Sequence, residues 1–192
     1  MTSNFGSVTV KIAISGSAGI GKTTLAKALA QSLGLPLIAE GYAPLFDLPA
    51  APPAELVPRF EKILRDKSAL EASHQAYVAD RASTDLFNLW LSLGLGQLPQ
   101  ETEKFYRACR EHSQCYDYVV LLPWGVFSVQ PIKNTGNFQQ RADNPWIQLR
   151  NHATICGLNA LWLPEARLIH LSQQAVSTEE RLAAIKQFFV AS

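Results

Sequence analysis

Gly16, Ser17, Ala18, Gly19, Ile20, Gly21, Lys22 and Thr23 fill the pattern GxxxxGK[ST], and the segments on either side of them leave few folds open. Before the loop, Val8 to Ser15 is β-branched and apolar on both faces apart from Lys11, as in a strand buried within a parallel sheet. After it, Leu25, Ala26, Leu29, Ala30 and Leu33 recur at helical spacing from Lys22 to Leu33, and Gly34 and Pro36 stop the helix. Strand, glycine loop and helix together predict an anion site. The glycines let successive backbone N–H groups turn inward around a phosphate, and the helix start adds partial positive charge. Lys22, expected to be exposed to ligand, brings an ammonium to the β and γ phosphates, the Thr23 hydroxyl is a Mg²⁺ ligand, and Thr24 completes the first turn.

The rest of the chain alternates in the same way. Leu35 to Ala39 reads as a short strand ending at Glu40 and Gly41. The five prolines from Pro44 to Pro58 predict a loop, with a helix resuming near Pro53 or Glu55 and running towards Ser73. His74 to Asp80 is a third strand, closed by the pair Asp80 and Arg81, and helices follow over Thr84 to Leu95 and Gln100 to His112. Tyr118 to Leu122 is a core strand, Pro145 to Leu161 a helix, Arg167 to Leu171 a last strand and Thr178 to Val190 a last helix. Trp124 to Asn144 is polar and too long for a simple connector, which makes 124–150 a lid candidate. The sum is one α/β domain over 1–192, three-layered around a central parallel sheet of about five strands.

With 17 Lys and Arg against 16 Asp and Glu, the net charge of +1 gives no bulk attraction to nucleic acid or to an anionic membrane, so neither is expected as partner. The opening residues lack the basic-then-apolar order of an export signal, and no apolar run has the length of a bilayer crossing. Cys109, Cys115 and Cys156 are odd in number and lack CxxC spacing, which suits reduced thiols in a cytoplasmic protein. The four histidines show no ligand spacing.

Beyond the loop, Glu40 and Asp80 stand at strand ends, expected beside the loop strand, on the edge where α/β sheets bind ligands. One can orient or deprotonate a hydroxyl acceptor and the other hold Mg²⁺, and the residues leave open which does which. The bland alternatives are a solvated loop acid for Glu40, a helix N-cap for Asp80, a structural ion pair for Arg81 and a first-turn acid for Asp85. Arg141 and Arg150 lie in and just after the lid candidate, where a transferring phosphoryl group needs mobile cations. Tyr42, Phe46, Trp124 and Phe127 are candidates to stack on a base, whereas Trp90, inside a helix, reads as core. No NKxD segment reads guanine, and the length falls short of the helical lid domain that AAA+ motors add.

The Walker A loop, Glu40 after the second strand, the run Asp80-Arg81-Ala82-Ser83 with Asp85, and an arginine-bearing lid resemble the nucleoside-kinase-like P-loop kinases. The likeness extends to the nicotinamide riboside kinase domain and its AAA-like relatives. Ala82 stands where a serine often follows the pair, and Pro44 where an arginine often follows the strand-2 acid. The resemblance implies ATP and Mg²⁺ as cofactors and transfer of a phosphoryl group to a small nucleoside or nucleotide-like hydroxyl acceptor. It implies Lys22, Glu40, Asp80, Arg81 and Arg141 as the catalytic set, with Thr23 and Asp80 towards the metal. Two other readings remain at this point: a nucleotide-dependent regulatory module acting through a protein partner, and a P-loop protein that binds nucleotide without turnover. Nothing in the sequence gives the oligomeric state.

Overall fold

The computed structural model describes residues 9–42, 51–125 and 144–191. Five strands, β1 (Lys11–Ser15), β2 (Leu37–Ile38), β3 (Tyr77–Asp80), β4 (Tyr118–Leu121) and β5 (Leu168–His170), form one parallel sheet in the order β2-β3-β1-β4-β5. Among the described residues six α-helices accompany them: α1 (Lys22–Leu33), α2 (Pro53–Ala72), α3 (Ser83–Ser92), α4 (Pro99–Ser113), α5 (Pro145–Trp162) and α6 (Thr178–Ala191). The lid candidate is described only at its ends, since 126–143 lies outside the described residues.

Alternation along each strand sends side chains to two separate cores. Ile12, Ile14, Val78 and Val120 join Leu25, Leu29 and Ile185 beneath α1 and α6. Ala13, Tyr77, Ala79 and Val119 face the other way, into a larger core of Phe60, Trp90, Phe105 and Trp162 from α2, α3, α4 and α5. Both sheet faces are therefore covered, which is the three-layer arrangement. Trp90 is core: it stacks on Phe105 with ring centroids 4.4 Å apart and donates Nε1–H to Thr102. Among the described residues no helix is long and apolar enough to cross a membrane.

All five strands are shorter than the sequence pattern suggests, and two of them bear on the site. β3 begins at Tyr77 because Ser73 and His74 close α2 instead: Ser73 N–H bonds the Ala69 and Leu70 carbonyls, and the His74 ring lies 3.0 Å from Leu70 O. β2 spans two residues and sits at the sheet edge, paired only with β3. Glu40 is thus not beside the loop strand as expected, because β3 comes between. The chain leaves β1 for β3 and β2 on one side and for β4 and β5 on the other, so the strand order reverses at the C-terminal end of β1. Open α/β sheets bind ligands at that reversal.

Candidate functional site

The glycine loop connects β1 to α1 at this reversal. A Cβ on Gly16, at φ 147°, would lie 2.7 Å from Ile20 Cδ1 and 3.3 Å from Leu122 O, so the tight turn under the loop requires glycine. Gly21, at φ 87°, stands just before α1, and the helical bonding starts with Leu25 N–H to Gly21 O at 3.0 Å. The N–H groups of Gly21, Lys22, Thr23 and Thr24 are left for a ligand, as at any helix start. Lys22 departs from its expected exposure: it is buried and donates Nζ–H to Ser17 O at 2.5 Å. Folding back gives the ammonium one internal acceptor. Burial and the Arg81 guanidinium push its pKa down to about 7, against the opposing pull of Asp85, Glu40 and Asp80. All four charged residues thus act on one ammonium.

The wall across from the loop is built on the ends of β2 and β3. Arg81 holds a left-handed backbone, φ 88°, while its N–H bonds Ile14 O at 3.0 Å and extends the β3 to β1 ladder by one residue. That turn swings its side chain back over β2. Arg81 Nε lies 2.6 Å from Glu40 Oε2, an ion-pair contact rather than an aligned hydrogen bond, and Nη1 lies 3.8 Å from Asp85 Oδ1. Burial alone would lower the Arg81 pKa, but the two carboxylates reverse this and raise it. The guanidinium also sits 5.5 Å from the Tyr42 ring centroid, and Tyr42 donates its hydroxyl to Ala82 O at 3.3 Å. Tyr42 is buried, lines the cleft beside the loop and supports Arg81 with one face of its ring.

Asp85 is more than a first-turn acid. It is buried at the start of α3 and accepts from Ser15 Oγ at 2.5 Å, Gly16 N–H at 3.3 Å and Ala82 N–H at 3.2 Å. One carboxylate thereby joins the strand end, the phosphate loop and the helix start. The Asp80 alternative as N-cap fails, because Ala82 occupies the cap position and Asp85 supplies the carboxylate. Asp80 is itself buried, and its Oδ1 has no hydrogen-bond partner among the described residues. An orphaned carboxylate oxygen at the end of the strand next to the loop suits a hydrated cation, as does the exposed Thr23 at the helix start.

A cleft separates Gly16, Ser17 and Ala18 from a wall that includes Arg81, Asn88 and Arg150. Arg150 is exposed on α5 and lies 3.3 Å from Asn151 Oδ1, which also accepts from Ser92 Oγ at 3.2 Å. Trp124 is half-buried at the end of β4, and its carbonyl accepts from Gln173. Arg141, Pro44, Phe46 and Phe127 lie outside the described residues. Sequence reasoning missed Ser15, Asn88, Asn151 and the bond from Asn159 Nδ2 to Thr84 Oγ1, 3.1 Å, that ties α5 to α3. The available signal was a polar residue ending an apolar strand, Ser15, and uncharged amides within apolar helices.

Residues 11–164 match the AAA domain family, and the chain belongs to it. Three solved structures share its fold. Deoxyadenosine kinase from M. mycoides, solved with dCMP and dCDP, is 13% identical, with 94% of this chain and 98% of that one covered and a TM-score of 0.68. The NadR protein in complex with NR is 15% identical at a TM-score of 0.64, with 94% of this chain matching 50% of that one. The YorR protein from Bacillus subtilis, in complex with phosphorylated GDP, is 17% identical at a TM-score of 0.54, with 94% of each chain covered. At these identities the likeness is one of fold. No curated protein matches the sequence.

Proposed function

We propose that the protein is an ATP- and Mg²⁺-dependent phosphotransferase whose acceptor is a small nucleoside or nucleotide-like alcohol. The observation that carries this reading is the cleft in which the phosphate loop faces a second wall bearing Arg81, Asn88 and Arg150. Nucleotide binding alone needs the loop, whereas group transfer needs a second wall to hold the acceptor in line. The three solved structures of the same fold, described as a deoxyadenosine kinase and as complexes with NR and with phosphorylated GDP, support an acceptor of this kind.

We divide the roles left open by the sequence as follows. Glu40 is held by Arg81 at 2.6 Å, so we assign it to the acceptor side, where it orients the hydroxyl or takes its proton. Asp80, with its unpartnered oxygen, is assigned with Thr23 to the metal side. A bound Mg²⁺ would supply charge neutralisation on the phosphate oxygens. Lys22 is the mobile cation: on exchanging Ser17 O for a phosphate it is drawn to its charged form. Arg141 and Arg150 are assigned to the transferring group, and the 124–150 segment to a lid over one domain.

The test is ADP release from ATP and Mg²⁺ against a panel of nucleosides, nucleotides, nicotinamide riboside and simple alcohols. Acceptor-dependent turnover, lost in Lys22→Ala, is the expected result and names the acceptor class. Tight ATP binding with only slow, acceptor-independent hydrolysis would replace this reading with a regulatory module that works through a protein partner.

A further inference from the structure

Arg181 lies on α6 and is buried despite its charge. Its Nη1–H donates to Ile20 O at 2.9 Å, 161 positions away in the chain, and its Nε–H donates to Ala175 O at 3.0 Å. The fork therefore bridges the phosphate loop and the connection between β5 and α6. It reaches both because Ile185 is buried in the core beneath α1 and Leu182 packs against that core, docking α6 on α1. Burying a guanidinium costs desolvation, and burial lowers the Arg181 pKa accordingly.

The chemical consequence lies in the peptide that Arg181 holds. Ile20 C=O and Gly21 N–H belong to one planar trans peptide and point in opposite directions. A cation fixing the carbonyl on one side therefore fixes the N–H on the other. Gly21 is the residue before α1, and its N–H is the first of the four that the helix leaves unbonded. As a glycine at φ 87°, it has little steric preference of its own to hold that peptide. A charged donor on the carbonyl also polarises the peptide and strengthens the N–H as a donor.

We propose that Arg181 is a positioning residue for the nucleotide phosphates, acting through the Ile20–Gly21 peptide. The proposal rests on the reading of this loop as an ATP site. Its test measures binding of Mg-ATP and, separately, of inorganic tripolyphosphate to the whole chain, as wild type, Arg181→Met and Arg181→Lys, with thermal unfolding of each. The expected result is that Arg181→Met, still folded, binds both ligands about tenfold more weakly or worse, and that Arg181→Lys recovers part of the loss. Equal weakening of the two ligands places the effect on the phosphates. Wild-type affinity in folded Arg181→Met, or weakened ATP with unchanged tripolyphosphate, overturns the proposal. If the methionine variant does not fold, Arg181→Lys decides, since a single ammonium in place of the fork is expected to weaken tripolyphosphate by about threefold. Wild-type tripolyphosphate affinity in Arg181→Lys then overturns it. Failure of the wild type to bind either ligand removes the ATP reading itself, which is a different result from a wild type that binds and a variant that binds equally well.

Discussion

Arg81 closes on Glu40 from the neighbouring strand, Nε to Oε2 at 2.6 Å, and so ties the ends of β2 and β3 at the edge of the cleft. The contact exists because Arg81 takes a left-handed backbone that few side-chain-bearing residues adopt. Arg81→Gly removes that strain, worth about 1–2 kcal/mol, and the ion pair together, whereas Arg81→Ala removes only the pair. The glycine variant is expected to have the higher unfolding temperature of the two, while both lose phosphoryl transfer by about 100-fold or more. Unfolding temperatures in the opposite order would refute the strain argument.

Asp85→Asn keeps the shape of the side chain but turns an amide NH₂ towards donors that now meet a carboxylate: Ser15 Oγ, Gly16 N–H and Ala82 N–H. At least one donor must lose its partner in a buried place, which costs about 2–3 kcal/mol. Urea unfolding is expected to show a lower midpoint at unchanged slope, with weaker nucleotide binding because Gly16 belongs to the loop. An unchanged midpoint would mean that Asp85 is not the joint described.

Lys22 carries a pH dependence with a definite sign. Its ammonium is held down to about 7 while it is buried against Ser17 O, and a polyphosphate raises that value by stabilising the charge. Nucleotide binding above pH 7 is then expected to take up about one proton, with affinity falling by up to roughly tenfold per pH unit. Calorimetry in buffers of different ionisation enthalpy reads the proton directly, and zero uptake at pH 8.5 would contradict the burial of Lys22. For the unliganded fold the lowered pKa means that the unfolded chain binds more protons between about pH 7 and 10, so stability rises with pH there. Lys22→Met, which fills the same space, is expected to flatten that slope while abolishing transfer.

Glu71 holds a buried network on the far side of the sheet from α1. It pairs with Lys67 at 2.6 Å and His112 at 3.1 Å, and accepts from Tyr77 and Tyr116 at 3.0 and 3.2 Å. Burial pushes its carboxyl pKa up, but the His112 contact and the Lys67 charge outweigh this and the net value is lowered. Its contribution is therefore complete above the unfolded pKa of about 4.3 and is lost as pH falls through the lower folded value. Glu71→Ala is expected to cost about 3–5 kcal/mol in urea unfolding at pH 7, because it strands Lys67 and both tyrosine hydroxyls. A loss of under about 1 kcal/mol would mean that the network contributes little.

The fold was legible because its signals are local. The β-branched run into Ser15, the helical spacing after Lys22 and the stop at Gly34 each depend on neighbours within a few positions, and α1 runs over Lys22–Leu33 as read. Strand order is not local. Nothing in Leu37–Ile38 announces that β3 will insert between it and β1, and so Glu40 was set one strand too close. Tyr42 shows the same limit: nothing near it in the sequence announces that the guanidinium of Arg81 lies over its ring.

The sequence by itself determined a phosphate loop at the head of a parallel α/β domain, because backbone turning, helix start and lysine are all written in one contiguous stretch. Only the tertiary structure decided what surrounds that loop. Asp85 reaches Ser15 across 70 positions and Arg181 reaches Ile20 across 161. Each contact depends on how whole helices pack on the sheet, and packing at such separations leaves no periodic trace along the chain.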